Sequence, residues 1–145
     1  MKRLIYSLAF VVSVAAAGTS VSAQQSGGLR VEFQGPGGHS SGAYGRVSAL
    51  HAAARVVILI QKALPAGSYQ ITNLTGGNSV NAIASDGLIE LKLTATSAAA
   101  YKALVTAVTK AAAEGAAAEN AFRGVKTGDL TSGAPATVRS SVRQF

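Results

Sequence analysis

The chain's first readable element is an alternation. Leu29, Val31 and Phe33 interleave with Arg30, Glu32 and Gln34, the two-residue period of a strand with one buried face. From Ser48 the period lengthens. Leu50, Ala53, Val57, Ile60 and Leu64 fall on one side of a predicted helix, His51, Arg55 and Lys62 on the other, and Pro65 and Gly67 stop it. Residues 69–74 read as a second strand and residues 79–83 as a short extended continuation. Asp86-Gly87 reads as a turn. Ile89, Leu91 and Leu93 then alternate with Glu90, Lys92 and Thr94, the clearest strand of the chain. Thr96 or Ser97 can cap a second helix, because either hydroxyl accepts a free backbone N–H. Its core stripe is Tyr101, Leu104, Val105, Val108 and Ala112, and Gly115 weakens its end. Residues 122–126 are expected to form a final strand. The Gly-, Ser-, Thr- and Pro-rich stretch 127–145 is expected to be a flexible tail.

Strand, helix, strand, strand, helix, strand is the ferredoxin-like βαββαβ order. The expected fold class is therefore α+β, an antiparallel four-stranded sheet with two helices on one face. One domain is expected over residues 29–126, with 24–28 as a linker.

The N-terminal residues stand apart from this pattern. Lys2 and Arg3 precede an apolar run from Leu4 to Ala17, and Val21-Ser22-Ala23 ends in small residues. That is the layout of a secretory signal peptide over residues 1–23, cleaved after Ala23. The run is shorter than the roughly 20 residues a spanning helix needs. A secreted or periplasmic chain, free of the membrane after cleavage, is the expectation. The whole chain carries a net charge of +7 and no cysteine, so an exported domain of this kind relies on its core and not on disulfides. The basic residues are dispersed and form no run, which favours a solvated basic surface over a nucleic-acid patch. RNA-recognition domains share this order of elements, but they stack bases on aromatic residues of a central strand, and residues 88–94 contain none.

Candidate chemistry is confined to two glycine-framed polar loops. The first is Gly35-Pro36-Gly37-Gly38-His39-Ser40-Ser41-Gly42 and the second is Gly76-Gly77-Asn78-Ser79-Val80-Asn81. Clustered glycines allow unusual backbone shapes and close ligand approach. His39 is either a ligand contact or a partner of loop backbone. Asn81 is either a ligand contact or a turn residue, and Asn78 and Ser79 read as turn residues. His51, four residues before Arg55 on the polar helix face, reads as solvated. His39 and His51 are the only two histidines, and a two-metal hydrolytic centre needs several convergent ligands and a base.

The stretch from Val31 through Gly38-His39-Ser40, a helix rich in small residues, and then Ile71 through Gly76-Gly77-Asn78-Ser79-Val80-Asn81 resembles a known family. It is similar to the dimerisation (lid) domain of zinc-dependent exopeptidases and amidohydrolases, which include aminoacylases, glutamate-releasing carboxypeptidases and desuccinylases. The resemblance covers residues 29–126. It implies the same order of elements and a two-fold homodimer joined through helix and edge strand. It also implies that His39 reaches a partner's active site to steady a developing oxyanion, with Asn81 near the substrate. Ala84 departs from the pattern, where the family often has proline.

The expectation is a lid without its metal-binding catalytic domain. There is no cofactor in this chain, since zinc would belong to a partner catalytic domain. Two functions follow. One is an exported homodimerisation or binding module for a small peptide or amino-acid-like ligand at His39, Gly77 and Asn81. The other is a lid that supplies His39 in trans to a separate zinc hydrolase chain.

Overall fold

The computed structural model describes residues 23–145. The signal-peptide reading falls almost wholly on residues 1–22, outside the described residues. The main sheet has four antiparallel strands: β1 (Gln25–Gln34), β3 (Tyr69–Thr75), β5 (Asp86–Ala95) and β8 (Arg139–Gln144), in the order β3-β5-β1-β8. Helices α1 (Ala49–Ala63) and α2 (Ala98–Phe122) pack on one face of it. Two short pairs complete the chain: β2 (Gly38–His39) with β4 (Ala82–Ile83), and β6 (Leu130–Thr131) with β7 (Ala134–Pro135). The expected ferredoxin-like class is observed, with β1, α1, β3, β5, α2 and β8 as its six parts.

Alternation in the central strands sorts the two sheet faces. Leu29, Val31 and Phe33 of β1 and Ile89, Leu91, Leu93 and Ala95 of β5 are buried under the helices. Their neighbours Arg30, Glu32, Glu90 and Lys92 therefore share the open face, because successive side chains point to opposite sides. Opposite charges pair there, Arg30 with Glu90 and Arg143 with Glu32. The Arg30 guanidinium, by hydrogen bonding, holds the Glu90 carboxyl below the usual glutamate value.

Several expectations are corrected at this level. Residues 24–28 are not a linker, since β1 begins at Gln25 and pairs with β5 along its whole length. Asp86-Gly87 is the start of β5 and not a turn. Residues 122–126 do not form the final strand, and residues 127–145 are not a flexible tail. The alanine-rich run carries α2 through Gly115 to Phe122, and the chain then turns at Gly124 (φ +68°). The fourth strand is β8, paired residue for residue with β1 from Leu29↔Gln144 to Gln34↔Arg139. Its sequence is Arg-Ser-Ser-Val-Arg-Gln, with Val142 alone packed against the core. An edge strand needs few apolar residues, so the alternation that betrays a central strand is missing.

Gly115 serves the crossing of the helices. A Cβ there would sit 2.3 Å from Val56 Cγ2 and 3.2 Å from the Ala52 carbonyl oxygen. Val56 is buried and stiff at χ1, so it has little room to yield. Gly115→Ala gains about 1 kcal/mol of helix propensity but costs about 2 kcal/mol by overpacking. The expected net result is a loss of about 1 kcal/mol, read as a lower urea midpoint at unchanged slope. A raised midpoint would contradict this packing.

The topology also separates the two ends of the molecule. Both glycine loops and the 123–138 connection lie at one end of the sheet, where β1 and β3 finish and β5 and β8 begin. At the opposite end lie the short connections at 64–68 and 96–97, together with the start of β1 and the end of β8.

Candidate functional site

The two glycine loops meet. Gly38 pairs with Ile83 and His39 with Ala82 in the β2–β4 ladder, and the Ser40 N–H donates to the Asn81 carbonyl at 2.9 Å. The second loop is steered by Gly77, whose φ of +72° is the left-handed region that favours glycine. Ala84 keeps this loop against the core without a proline. It is buried, and its carbonyl accepts the Ala49 N–H at 3.0 Å, at the start of α1.

His39 and Asn81 are exposed and joined side chain to side chain. Asn81 Nδ2 lies 3.2 Å from His39 Nε2, and His39 Nδ1 lies 2.8 Å from Ser41 Oγ. Ser79 Oγ donates to Asn81 Oδ1 at 2.5 Å. The Ser41 backbone N–H also donates to His39 Nδ1, at 3.3 Å. In this arrangement both ring nitrogens are engaged. The imidazole therefore ties the loops together, and an oxyanion would have to displace Asn81 to receive an N–H from Nε2.

Gly77 lies slightly apart from that pair. It lines a cleft of about 580 Å³ together with Ser40, Tyr44, Arg46, Leu50 and Val80, among others. His39 and Asn81 do not line it. The structure thus brings His39 and Asn81 into contact and places Gly77 in the neighbouring concavity.

Sequence reasoning missed the buried anchor beneath these loops. Glu119 is fully buried. Its Oε1 accepts the Ser48 backbone N–H at 3.1 Å and Arg123 Nε at 3.3 Å, and its Oε2 accepts Arg55 Nε at 3.1 Å. His51 Nδ1 lies 3.7 Å away, so His51 is half-solvated beside a carboxylate and not simply free in solvent. One signal was available in the sequence. Val108, Ala112, Gly115 and Glu119 continue a single helical stripe, which puts the carboxylate on the buried face.

Among the described residues, no group of three or more His, Asp or Glu side chains is placed to hold a metal. The donors present do not fit a two-zinc centre, because His39 is engaged by Ser41 and Asn81 and Glu119 by two arginines. Among the same residues, no helix is long and apolar enough to cross a membrane.

Comparison with known proteins gives this geometry a family. The profile of the peptidase dimerisation domain matches residues 21–120. The chain belongs to the peptidase dimerisation domain family. Solved structures share the fold. An aminobenzoyl-glutamate utilization protein from Klebsiella pneumoniae has 16% identity and a TM-score of 0.61, over 88% of this chain and 31% of that one. A tripeptidase from Staphylococcus aureus has 18% identity and a TM-score of 0.62, over 86% and 30%. A dinuclear metal-binding peptidase of the M20 family from Bacillus subtilis has 16% identity and a TM-score of 0.57, over 84% and 26%. No curated protein matches the chain. The dimerisation domain spans under a third of the length of each of these structures. The family match stops before β8, although β8 is part of this dimerisation domain's sheet.

Proposed function

We propose that this chain is an exported assembly module that homodimerises through β3 and α1 and does not catalyse hydrolysis on its own. The observation that carries this reading is the free edge of β3. Among the described residues that strand pairs with β5 on one side only, so its outer backbone groups are open to a further strand. Beside it α1 presents Val57 and Ile58, and Ile58 is 52% exposed. A second copy related by a two-fold axis would pair strand with strand and cover these residues. Light scattering on the purified chain should give twice the chain mass, and Ile58→Glu, on an exposed helical position, should return it to the monomer. A wild-type chain that stays monomeric at high concentration would end this reading.

The same module offers its loop end to a small peptide or amino-acid-like ligand at His39, Gly77 and Asn81. A second reading is supported by the exposure of the joined His39–Asn81 pair: the chain acts as a lid, supplying His39 to a separate zinc hydrolase chain. Adding the chain to such a hydrolase should then raise amidase activity, and His39→Ala should remove the gain. Unchanged activity on mixing would eliminate this second reading and leave the dimer intact.

A further inference from the structure

The end of α2 carries an aromatic ring that neither reading above uses. Phe122 is the last residue of the helix and is 67% exposed, so it does not belong to the core. It does not stop the helix either. Gly124 (φ +68°) makes the stop, where the Gly124 N–H donates to the Ala121 carbonyl at 3.0 Å and the Val125 N–H to the Asn120 carbonyl at 2.9 Å. The Phe122 ring lies instead against two guanidinium groups, 5.0 Å from Arg55 and 4.9 Å from Arg123. Both fall within the roughly 6 Å at which a cation is attracted to a ring face.

The two arginines are fixed from beneath. Each gives its Nε to the buried Glu119 carboxylate, Arg55 at 3.1 Å and Arg123 at 3.3 Å. Among the described residues their terminal nitrogens have no hydrogen-bond partner, so those donors stay available. A ring and two guanidinium forks held in place by two helices lose little freedom on meeting a partner. Arginine and aromatic side chains are also the types that carry most of the energy of protein interfaces. The relief around them is low: Ala54, beside Arg55, and Ala118, one turn before Phe122, are exposed and small.

Charge selects the partner. α1 has no acidic residue, and the last two turns of α2 have only Glu119. That single carboxylate is buried under two guanidinium groups, with His51 Nδ1 at 3.7 Å from it. The surface above keeps a surplus of positive charge. Carboxylates match the guanidinium fork. The exposed ring adds a demand that a bare polyanion does not meet: an apolar side chain next to those carboxylates.

We propose that Phe122, Arg55 and Arg123 form a docking surface for an acidic segment of a partner protein, its carboxylates received by the two guanidinium forks and an apolar side chain lying against the Phe122 ring. This surface uses neither the β3 edge nor His39, Gly77 and Asn81.

The test is an NMR titration of the purified ¹⁵N-labelled chain with three probes: a short glutamate-rich peptide containing leucine, the same peptide with glutamine in place of glutamate, and a short single-stranded oligonucleotide. The glutamate peptide should shift the amides of Ala121, Phe122 and Arg123 and the Nε–H signals of Arg55 and Arg123, and it should bind more weakly as salt is raised. The glutamine peptide should bind at least about tenfold more weakly, the loss expected when charge-assisted hydrogen bonds are removed. Phe122→Ala and Arg55→Gln should each weaken the glutamate peptide about tenfold, while Lys102→Gln, near the other end of α2, should not. Phe122 is exposed and outside the core, so its variant stays informative even if Arg55→Gln disturbs the fold through Glu119. Equal binding of the two peptides, tighter binding of the oligonucleotide, shifts centred on Gly76 and Gly77, or no shift with any probe would each overturn the proposal. Light scattering on the same samples reads the dimer separately, so failure of this surface and failure of the assembly reading are distinguishable.

Discussion

Deleting residues 139–145 is expected to abolish a stable native state, not merely to trim a disordered end. The deletion removes β8, leaves the outer edge of β1 unpaired from Leu29 to Gln34, and uncovers the core where Val142 packs. It also removes the Gln144 acceptor of the Tyr101 hydroxyl and the Phe145 ring that lies 5.6 Å from the Arg30 guanidinium. Lost ladder hydrogen bonds at about 1 kcal/mol each, together with re-exposed apolar surface, amount to about 5 kcal/mol. That is comparable with the whole stability of a small domain, about 5–15 kcal/mol. Thermal melting followed by circular dichroism should show a broad or missing transition, and size-exclusion chromatography should show association through the new edge. A melting temperature unchanged from the full chain would show that β8 contributes nothing to the fold.

Glu119→Ala is expected to cost about 3 kcal/mol. The carboxylate is buried and joins the N-cap residue of α1 to two arginines. Its removal leaves the Ser48 N–H without its acceptor and two positive charges side by side. Arg55 and Arg123 are 36% and 24% exposed, so solvent screens part of that repulsion, and the lower end of the range for a broken buried pair applies. For a domain of this size the melting temperature should fall by roughly 10 °C. Glu119→Gln keeps the shape and one acceptor and should cost less. Equal losses for Ala and Gln would show that charge, and not hydrogen-bond geometry, dominates. Melting unchanged in both variants would show that the anchor is dispensable.

The legible parts of the fold were those in which burial imposes a period. The central strands alternate strictly, so their inward residues could be read directly from the sequence. The second helix's predicted stripe of Tyr101, Leu104, Val108 and Ala112 is buried as expected, with Val105 at its margin. In the first helix the buried stripe is rotated: Ala49, Ala52, Ala53, Val56 and Ile60 face inward, and Leu50 turns to the cleft. Small residues caused that error, because alanines pack against α2 where a larger apolar residue was expected to lead. Gly115 misled for a related reason. It was read as a weak point by propensity, whereas its value lies in a long-range contact with Val56. The end of the chain was misread because β8 is short, polar and at an edge. At the site, the meeting of the two glycine loops was foreseeable as a condition but not as a fact. It depends on the β2–β4 pairing, between residues more than forty positions apart. Glu119 escaped notice because two of its partners, Ser48 and Arg55, belong to α1 and its cap, 71 and 64 positions away.

The separation of the two ends gives the molecule a natural handle. Ala66, in the short connection after α1, is exposed, at the pole opposite the glycine loops. A dye or surface tether attached there would hold the molecule with its cleft and both polar loops turned to solution. Such an immobilised chain would present its glycine-loop end in one orientation, as a sensor chip or a pull-down bead requires.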